Sequence, residues 1–161
     1  MKILLLGSGG REHALAWKMA QSKHCSKLFI APGNAGTAQC GENVSLDVND
    51  FEAINKFCLK QQIEMMVVGP EEPLVNGIYD YFHLAIPSAK QELWKGIIIG
   101  PSAAGAQLEG SKAFSKKFMQ RHHIPTAAYA EFDAMHYEEG KDYIRHHTLP
   151  IVLKADGLAA G

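Results

Sequence analysis

Gly7-Ser8-Gly9-Gly10-Arg11-Glu12-His13 follows a short apolar run and opens an amphipathic stretch. Glycines at such a bend let the backbone approach a ligand closely and adopt positive φ. Unpaired N–H groups at the start of the following helix attract an anion, helped by the helix dipole. Main-chain amides bared at this bend, ready for a sugar phosphate, are therefore the central expectation; a tight turn without a ligand is the alternative. The dinucleotide fingerprint asks for a third glycine where Glu12 stands. It also asks for an acidic residue ending the second strand, where the chain reads Ala31-Pro32-Gly33-Asn34. A phosphate-bearing small molecule thus fits better than NAD, and an NAD-dependent oxidoreductase is disfavoured.

Further turns fall where the same ligand would be reached. Pro32-Gly33-Asn34, Gly69-Pro70-Glu71-Glu72-Pro73 and Gly100-Pro101-Ser102 each follow an apolar run. In an open parallel sheet they lie at the carboxyl edge, where ligands bind. Asn34 can donate and accept there, and Glu71 can accept from a hydroxyl or amine. Lys112 and Lys116 share one helical face and Phe114 and Phe118 another, so the phenylalanines are expected in a core. Lys112 could reach a polyphosphate or belong to a solvated face. Lys154 ends the apolar run Ile151-Val152-Leu153, where a charge needs a partner: an anionic ligand, or a carboxylate from elsewhere in the protein.

Other chemistry is thinly supported. His122-His123 and His146-His147 are adjacent pairs without a third metal ligand, so no metal-binding residue is predicted. His13 could touch a ligand or simply pack. Met65, Met66 and Trp17 read as core. No serine sits in a nucleophile elbow, and no catalytic residue is assigned. The three cysteines of the 161-residue chain are far apart and suit reduced thiols in a cytoplasm. Sixteen Lys and Arg against 17 Asp and Glu give a net charge of −1, without the broad basic footprint of a nonspecific nucleic-acid binder. The opening apolar run is too short for a signal sequence or membrane span, so no nucleic-acid or membrane partner is expected.

The elements that must position these residues alternate regularly. Apolar runs at 3–6, 28–31, 44–46, 65–69 and 97–99 read as strands apolar on both faces. Helices are predicted at 11–21, at 51–61 with Asn49 as start signal, and after Pro73 with Leu74, Ile78 and Phe82 on one stripe. The fold class is α/β: a Rossmann-like parallel open sheet with helices on both faces. Beyond Pro101 the pattern changes to helices at 102–108, 111–122 and 135–147, an extended stretch at 127–131 and a strand at 151–153. The expected division is a first domain over 1–106 and the beginning of an incomplete second domain over 107–161. A small chain with a frayed glycine tail is the alternative.

The segments GSGGREHALAWK (7–18), PGNAGT (32–37), VGPEEPLVNGI (68–78), QLEGSKAFSKKFM (107–119) and PIVLKADGLAAG (150–161) closely resemble the phosphoribosylamine–glycine ligase family of the ATP-grasp superfamily, in the same order along the whole chain. The resemblance implies a Rossmann-like N-terminal domain followed by the beginning of an incomplete ATP-grasp domain. It implies a cytoplasmic ligase of purine biosynthesis that joins glycine to 5-phosphoribosylamine, splitting ATP with Mg²⁺ through a glycyl phosphate. By the same resemblance Gly7, Ser8, Gly9, Gly10, Arg11, Asn34 and Glu71 line the phosphoribosylamine pocket. Lys112 and Lys154 match the lysines that hold the ATP phosphates, and residues 156–161, with Gly157 and Gly161, match the start of a glycine-rich lid. The family continues past position 161 with the metal ligands and most of the glycine site, so a chain of this extent is expected to be catalytically incomplete alone. Residues 84–96 are longer and more polar than the family's usual turn; added helix is expected there, with Leu93 and Trp94 covering the sheet edge. A non-catalytic phosphosugar-binding module is the alternative function.

Overall fold

The structure is a computed structural model and describes residues 1–83 and 92–158. It contains two compact units, Met1–Ala106 and Gln107–Gly161.

In the first unit, β1 (Lys2–Gly7), β2 (Lys27–Pro32), β3 (Glu42–Asn43), β4 (Met65–Val68) and β5 (Ile97–Ile99) form one sheet in the order β3-β2-β1-β4-β5. Every pairing is parallel, with Leu4 opposite both Phe29 and Met66. The strands are apolar on both faces because both are covered. Leu4 and Leu6 pack with Phe29, Met66, Ile54 and Cys58, which brings α2 (Phe51–Gln61) onto one face. Leu5 packs with Leu28, Ile30 and Ala16, which brings α1 (Gly10–Ala20) onto the other. Each such fully buried aliphatic side chain contributes about 1.5–3 kcal/mol. Burial in this apolar setting pushes the Cys58 thiol up to about 12, by desolvation of its charged form.

Several local expectations change. Asp50 caps α2, its carboxylate accepting from the Ala53 N–H at 2.9 Å, whereas Asn49 accepts instead from the Asn76 side chain. The single helix expected around Pro73 is two: α3 (Glu71–Val75) and α4 (Ile78–His83). Gly77, at φ +89°, makes the break, a left-handed conformation that suits glycine. Trp17 is 60% exposed, on the outward face of α1, and is not core. Met66 is fully buried as expected, and Met65 only half-buried. The third strand is shorter and earlier than the run 44–46 suggested, although the Val44 N–H still reaches the Ile30 carbonyl.

The helix expected within 84–96 falls largely outside the described residues, and 92–96 are not helical. Leu93 is half-buried. Trp94 is buried edge-on to Phe82, in the same cluster as Ile98 of β5, with its indole N–H donated to the Ile63 carbonyl. Its backbone N–H donates to Asn55, which makes that buried amide part of the core's polar accounting.

The second unit includes α6 (Lys112–Arg121) and α7 (Tyr137–His146), which follow α5 (Ala103–Gly110) along the chain. Gly140 is its one buried residue among those described. Phe114 is exposed and Phe118 half-buried, so the expected aromatic core is not formed by the described residues. Residues 127–131 and 151–153 are not strands. A strand needs a neighbour for its backbone groups, and no strand among the described residues of this unit offers one.

Candidate functional site

The sheet order reverses at β1: the chain adds β2 and β3 on one side, then β4 and β5 on the other. The carboxyl ends of β1 and β4 therefore flank a crevice of the kind in which open α/β sheets bind ligands. Gly7 closes β1 at φ +123°, Gly9 is extended, and α1 starts at Gly10. Opposite, Gly69 and Pro70 lead from β4 into α3.

The loop is less bare than its glycines suggest. The Gly9 N–H donates to Glu12 Oε2 at 2.7 Å, so this amide is occupied from within the helix. Glu12 is buried, and Gly7, Gly9 and Gly69 are packed directly against its side chain. The residue that breaks the dinucleotide fingerprint therefore fills space under the loop. Arg11 and Glu71 meet over the same edge, Nη1 to Oε1 at 2.7 Å. The Arg11 hydrogen bond, then a backbone hydrogen bond, hold the Glu71 carboxyl below its ordinary value.

Asn34 braces the neighbouring turn. Its Nδ2 donates to the Ser8 carbonyl at 2.7 Å, and its Oδ1 accepts from the Gly36 and Thr37 N–H groups. The fully buried Thr37 accepts from the Asn34 N–H, and Asn43 donates to the Asn34 carbonyl. Asn34 thus ties the turn after β2 to the glycine loop. Thr37 and Asn43 were not singled out in the sequence, and hydroxyl and amide side chains flanking a turn were the one available signal. His13 is half-buried against Gly36. The turn after β5 is structural in the same way: Asp80 accepts from the Ala103 N–H at 2.6 Å, fixing the start of α5.

In the second unit, Lys112 and Gly157 come together, Lys112 Nζ donating to the Gly157 carbonyl at 2.7 Å. Asp156 Oδ1 accepts from the Lys112 and Ala113 N–H groups, and its Oδ2 from the Ser111 hydroxyl. The Ala113 N–H foremost, with smaller help from Ser111, lowers the Asp156 carboxyl below its ordinary value. Lys154 is exposed in irregular chain, so the desolvation expected at a strand end does not arise. Gly161 lies outside the described residues. An apolar hollow of about 470 Å³ between Tyr129, Phe132, Ile144 and Ile151 contains none of the predicted site residues. No group of three His, Cys, Asp or Glu that could hold a metal exists among the described residues. Cys25, Cys40 and Cys58 are free thiols.

Two family models match end to end: "Phosphoribosylglycinamide synthetase, N domain" over residues 1–109, and the ATP-grasp (A) domain of the same synthetase over 110–161. The chain belongs to the phosphoribosylglycinamide synthetase family. Within this family, the chain is 51% identical to phosphoribosylamine–glycine ligase of Vibrio parahaemolyticus over 164 aligned positions, covering all of this chain and 35% of that protein. The crystal structure of phosphoribosylamine–glycine ligase from Thermotoga maritima aligns with a TM-score of 0.64 at 31% identity, over 98% of this chain and 34% of that one. N5-carboxyaminoimidazole ribonucleotide synthetase from Thermus thermophilus shares the fold, with a TM-score of 0.60 at 20% identity over 92% of this chain and 37% of that one. The chain thus spans about a third of the length of these relatives, and its ATP-grasp portion is partial.

Proposed function

We propose that this chain supplies the 5-phosphoribosylamine site and part of the ATP site of a cytoplasmic ligase that joins glycine to 5-phosphoribosylamine, forming glycinamide ribonucleotide for purine biosynthesis. The reading is supported by the family match over the whole chain together with the glycine loop at the sheet's reversal point. In this chemistry the glycine carboxylate attacks the terminal phosphoryl group of ATP, releasing ADP. The amine of phosphoribosylamine then attacks the acyl phosphate carbon, the C–N bond forms, phosphate leaves and the amine loses a proton. Binding and electrostatic positioning are what the protein contributes to such phosphoryl transfers.

The roles divide by unit. Gly7, Ser8, Gly9 and Gly10 shape the loop that receives the sugar phosphate, with the α1 dipole directed at it. Arg11 adds positive charge beside it, and Glu71 accepts from the ribose. Asn34 holds the loop rather than the ligand, since its side-chain amide is already engaged. Lys112 and Lys154 provide positive charge for the ATP phosphates, and Gly157 and Gly161 belong to the covering lid. Mg²⁺ in such a reaction neutralises charge on the transferred phosphoryl group. The described residues include no group of three His, Cys, Asp or Glu that could hold the ion.

Calorimetric titration of the chain with ribose 5-phosphate tests the first assignment. Binding is expected, and Gly9→Val should abolish it, because a side chain there collides with Glu12 Oε2. Normal binding by Gly9→Val removes the loop from the site. For the second assignment, the 161-residue chain should show no glycine-dependent ATP hydrolysis, and Lys154→Ala in a full-length protein should cut turnover through its KM for ATP. Ribose 5-phosphate binding together with an ATP-indifferent full-length protein would instead favour a phosphosugar-binding module.

A further inference from the structure

Glu12 lies beneath the glycine loop, 4% exposed. One carboxylate oxygen, Oε2, accepts from the Gly9 N–H at 2.7 Å. The other, Oε1, is buried without a hydrogen-bond partner. Glycines surround this carboxylate: a Cβ on Gly69 would stand 2.5 Å from Oε1, one on Gly9 2.9 Å from Oε2, and one on Gly7 2.7 Å from the carboxyl carbon. Gly7 ends β1 and Gly69 follows β4, so the side chain is wedged between the two strand ends that border the crevice. A buried carboxylate with an unmet acceptor is costly. A helix that needed only a capped first turn could carry the acid exposed, with both oxygens hydrated.

We propose that Glu12 is the positioning residue of the sugar-phosphate site. This rests on the functional reading above and deepens it. By binding the Gly9 N–H, Glu12 turns that amide inward and fixes the shape of the loop from residue 7 to residue 10. By filling the space between Gly7 and Gly69, it holds the two rims of the crevice at the separation a phosphomonoester sugar requires. Glu12 acts through the loop and does not itself contact the ligand. The same wedge accounts for glycine on both sides of it, because any side chain at Gly7 or Gly69 would compete for its volume.

The test pairs two variants, Glu12→Ala and Glu12→Gln, with two readouts on the 161-residue chain: calorimetric affinity for ribose 5-phosphate, and amide hydrogen exchange at Gly9 followed by NMR. Loss of one buried hydrogen bond predicts that Glu12→Ala weakens ribose 5-phosphate binding by about 10-fold and speeds Gly9 exchange by a similar factor. Glu12→Gln keeps an oxygen acceptor for Gly9 and should return both readouts to within about 3-fold of wild type. A purely structural role would move the unfolding midpoint without this pattern of rescue. The proposal is overturned if Glu12→Ala binds as wild type does, if Gly9 exchange is unchanged in it, or if Glu12→Gln fails to restore either readout. Should Glu12→Ala not fold, Glu12→Gln alone decides, by its Gly9 protection and its affinity. If wild type itself ignores ribose 5-phosphate, the functional reading fails, and Gly9 exchange in the variants still shows whether Glu12 braces the loop.

Discussion

Leu4-Leu5-Leu6 and Ile151-Val152-Leu153 are apolar triplets of similar composition, each leading towards a glycine-containing turn. The first is wholly buried between two strands and two helical layers. The second is irregular, with Val152 and Leu153 at 75% and 68% exposure. What separates them is company: the first unit contains the parallel neighbours and covering helices that a two-faced strand requires, and the described second unit does not. An apolar run is thus a demand for partners rather than an instruction to form a strand. The site residues divide along the same line. Those of the first unit sit on a rigid sheet edge, and those of the second are held by polar side chains on an exposed surface.

Paired substitutions test this contrast. The largest effect is expected from Leu5→Ala, which should lower the free energy of urea unfolding by about 3 kcal/mol, within the range for buried leucines. Leu153→Ala should change it by less than about 0.5 kcal/mol, as for exposed positions. Comparable losses from the two would show that the second unit has a core of its own. Next, Gly69→Ala forces a methyl onto Glu12 and should cost about 1–3 kcal/mol by overpacking. Gly10→Ala meets nothing within 4 Å and should leave stability unchanged or raise it by up to about 1 kcal/mol. Thermal unfolding of the two variants checks this difference.

A smaller effect separates two helix caps. Asp50→Ala should cost about 1 kcal/mol in cooperative unfolding. Ser111→Ala removes the equivalent cap of α6 and should appear as faster amide exchange confined to that helix. The smallest effect concerns Arg11 and Glu71. Glu71 is held below its unfolded-state value, so the pair's contribution is complete above the unfolded pKa and fades as pH falls through the folded one. Arg11 is well exposed, and the pair is expected to contribute less than about 1 kcal/mol. Arg11→Ala should move the Glu71 titration, followed by carboxyl carbon NMR, back up towards the ordinary carboxylate range. An unmoved titration would detach Arg11 from Glu71.

β1, β2, β4 and β5 were legible because their runs are apolar at every position, which leaves a doubly covered parallel sheet as the consistent reading; β3, the polar pair Glu42-Asn43, carries no such signal. Its carboxyl edge was legible because glycine or proline punctuates the ends of β1, β2, β4 and β5. The occupancy of that edge was not. Glu12 stood out only as a mismatch to a dinucleotide pattern; its position three residues after Gly9 is the spacing at which an acid folds back onto a helix's first N–H, but that spacing does not show the burial of the carboxylate beneath the loop. Asn34 has the chemistry of a ligand contact and of a turn brace alike, and only the positions of Ser8, Gly36 and Thr37 separate them. Trp17 was misplaced because a large apolar residue is a poor guide to the buried side of a helix whose inward contact is as small as Ala16. The break at Gly77 was hidden because Leu74, Ile78 and Phe82 keep helical spacing across it.

Cys58 carries a consequence of a different kind. Its side chain is sealed between α2 and the sheet, and its thiol, raised to about 12, is almost entirely protonated at neutral pH. Alkylating and oxidising reagents attack the thiolate, so Cys58 should stay silent while the half-buried Cys25 and Cys40 react. Its modification would then mark the moment at which α2 lifts away. The protein thus carries its own clock for the opening of the first unit, readable by mass spectrometry from the reagent mass added at Cys58.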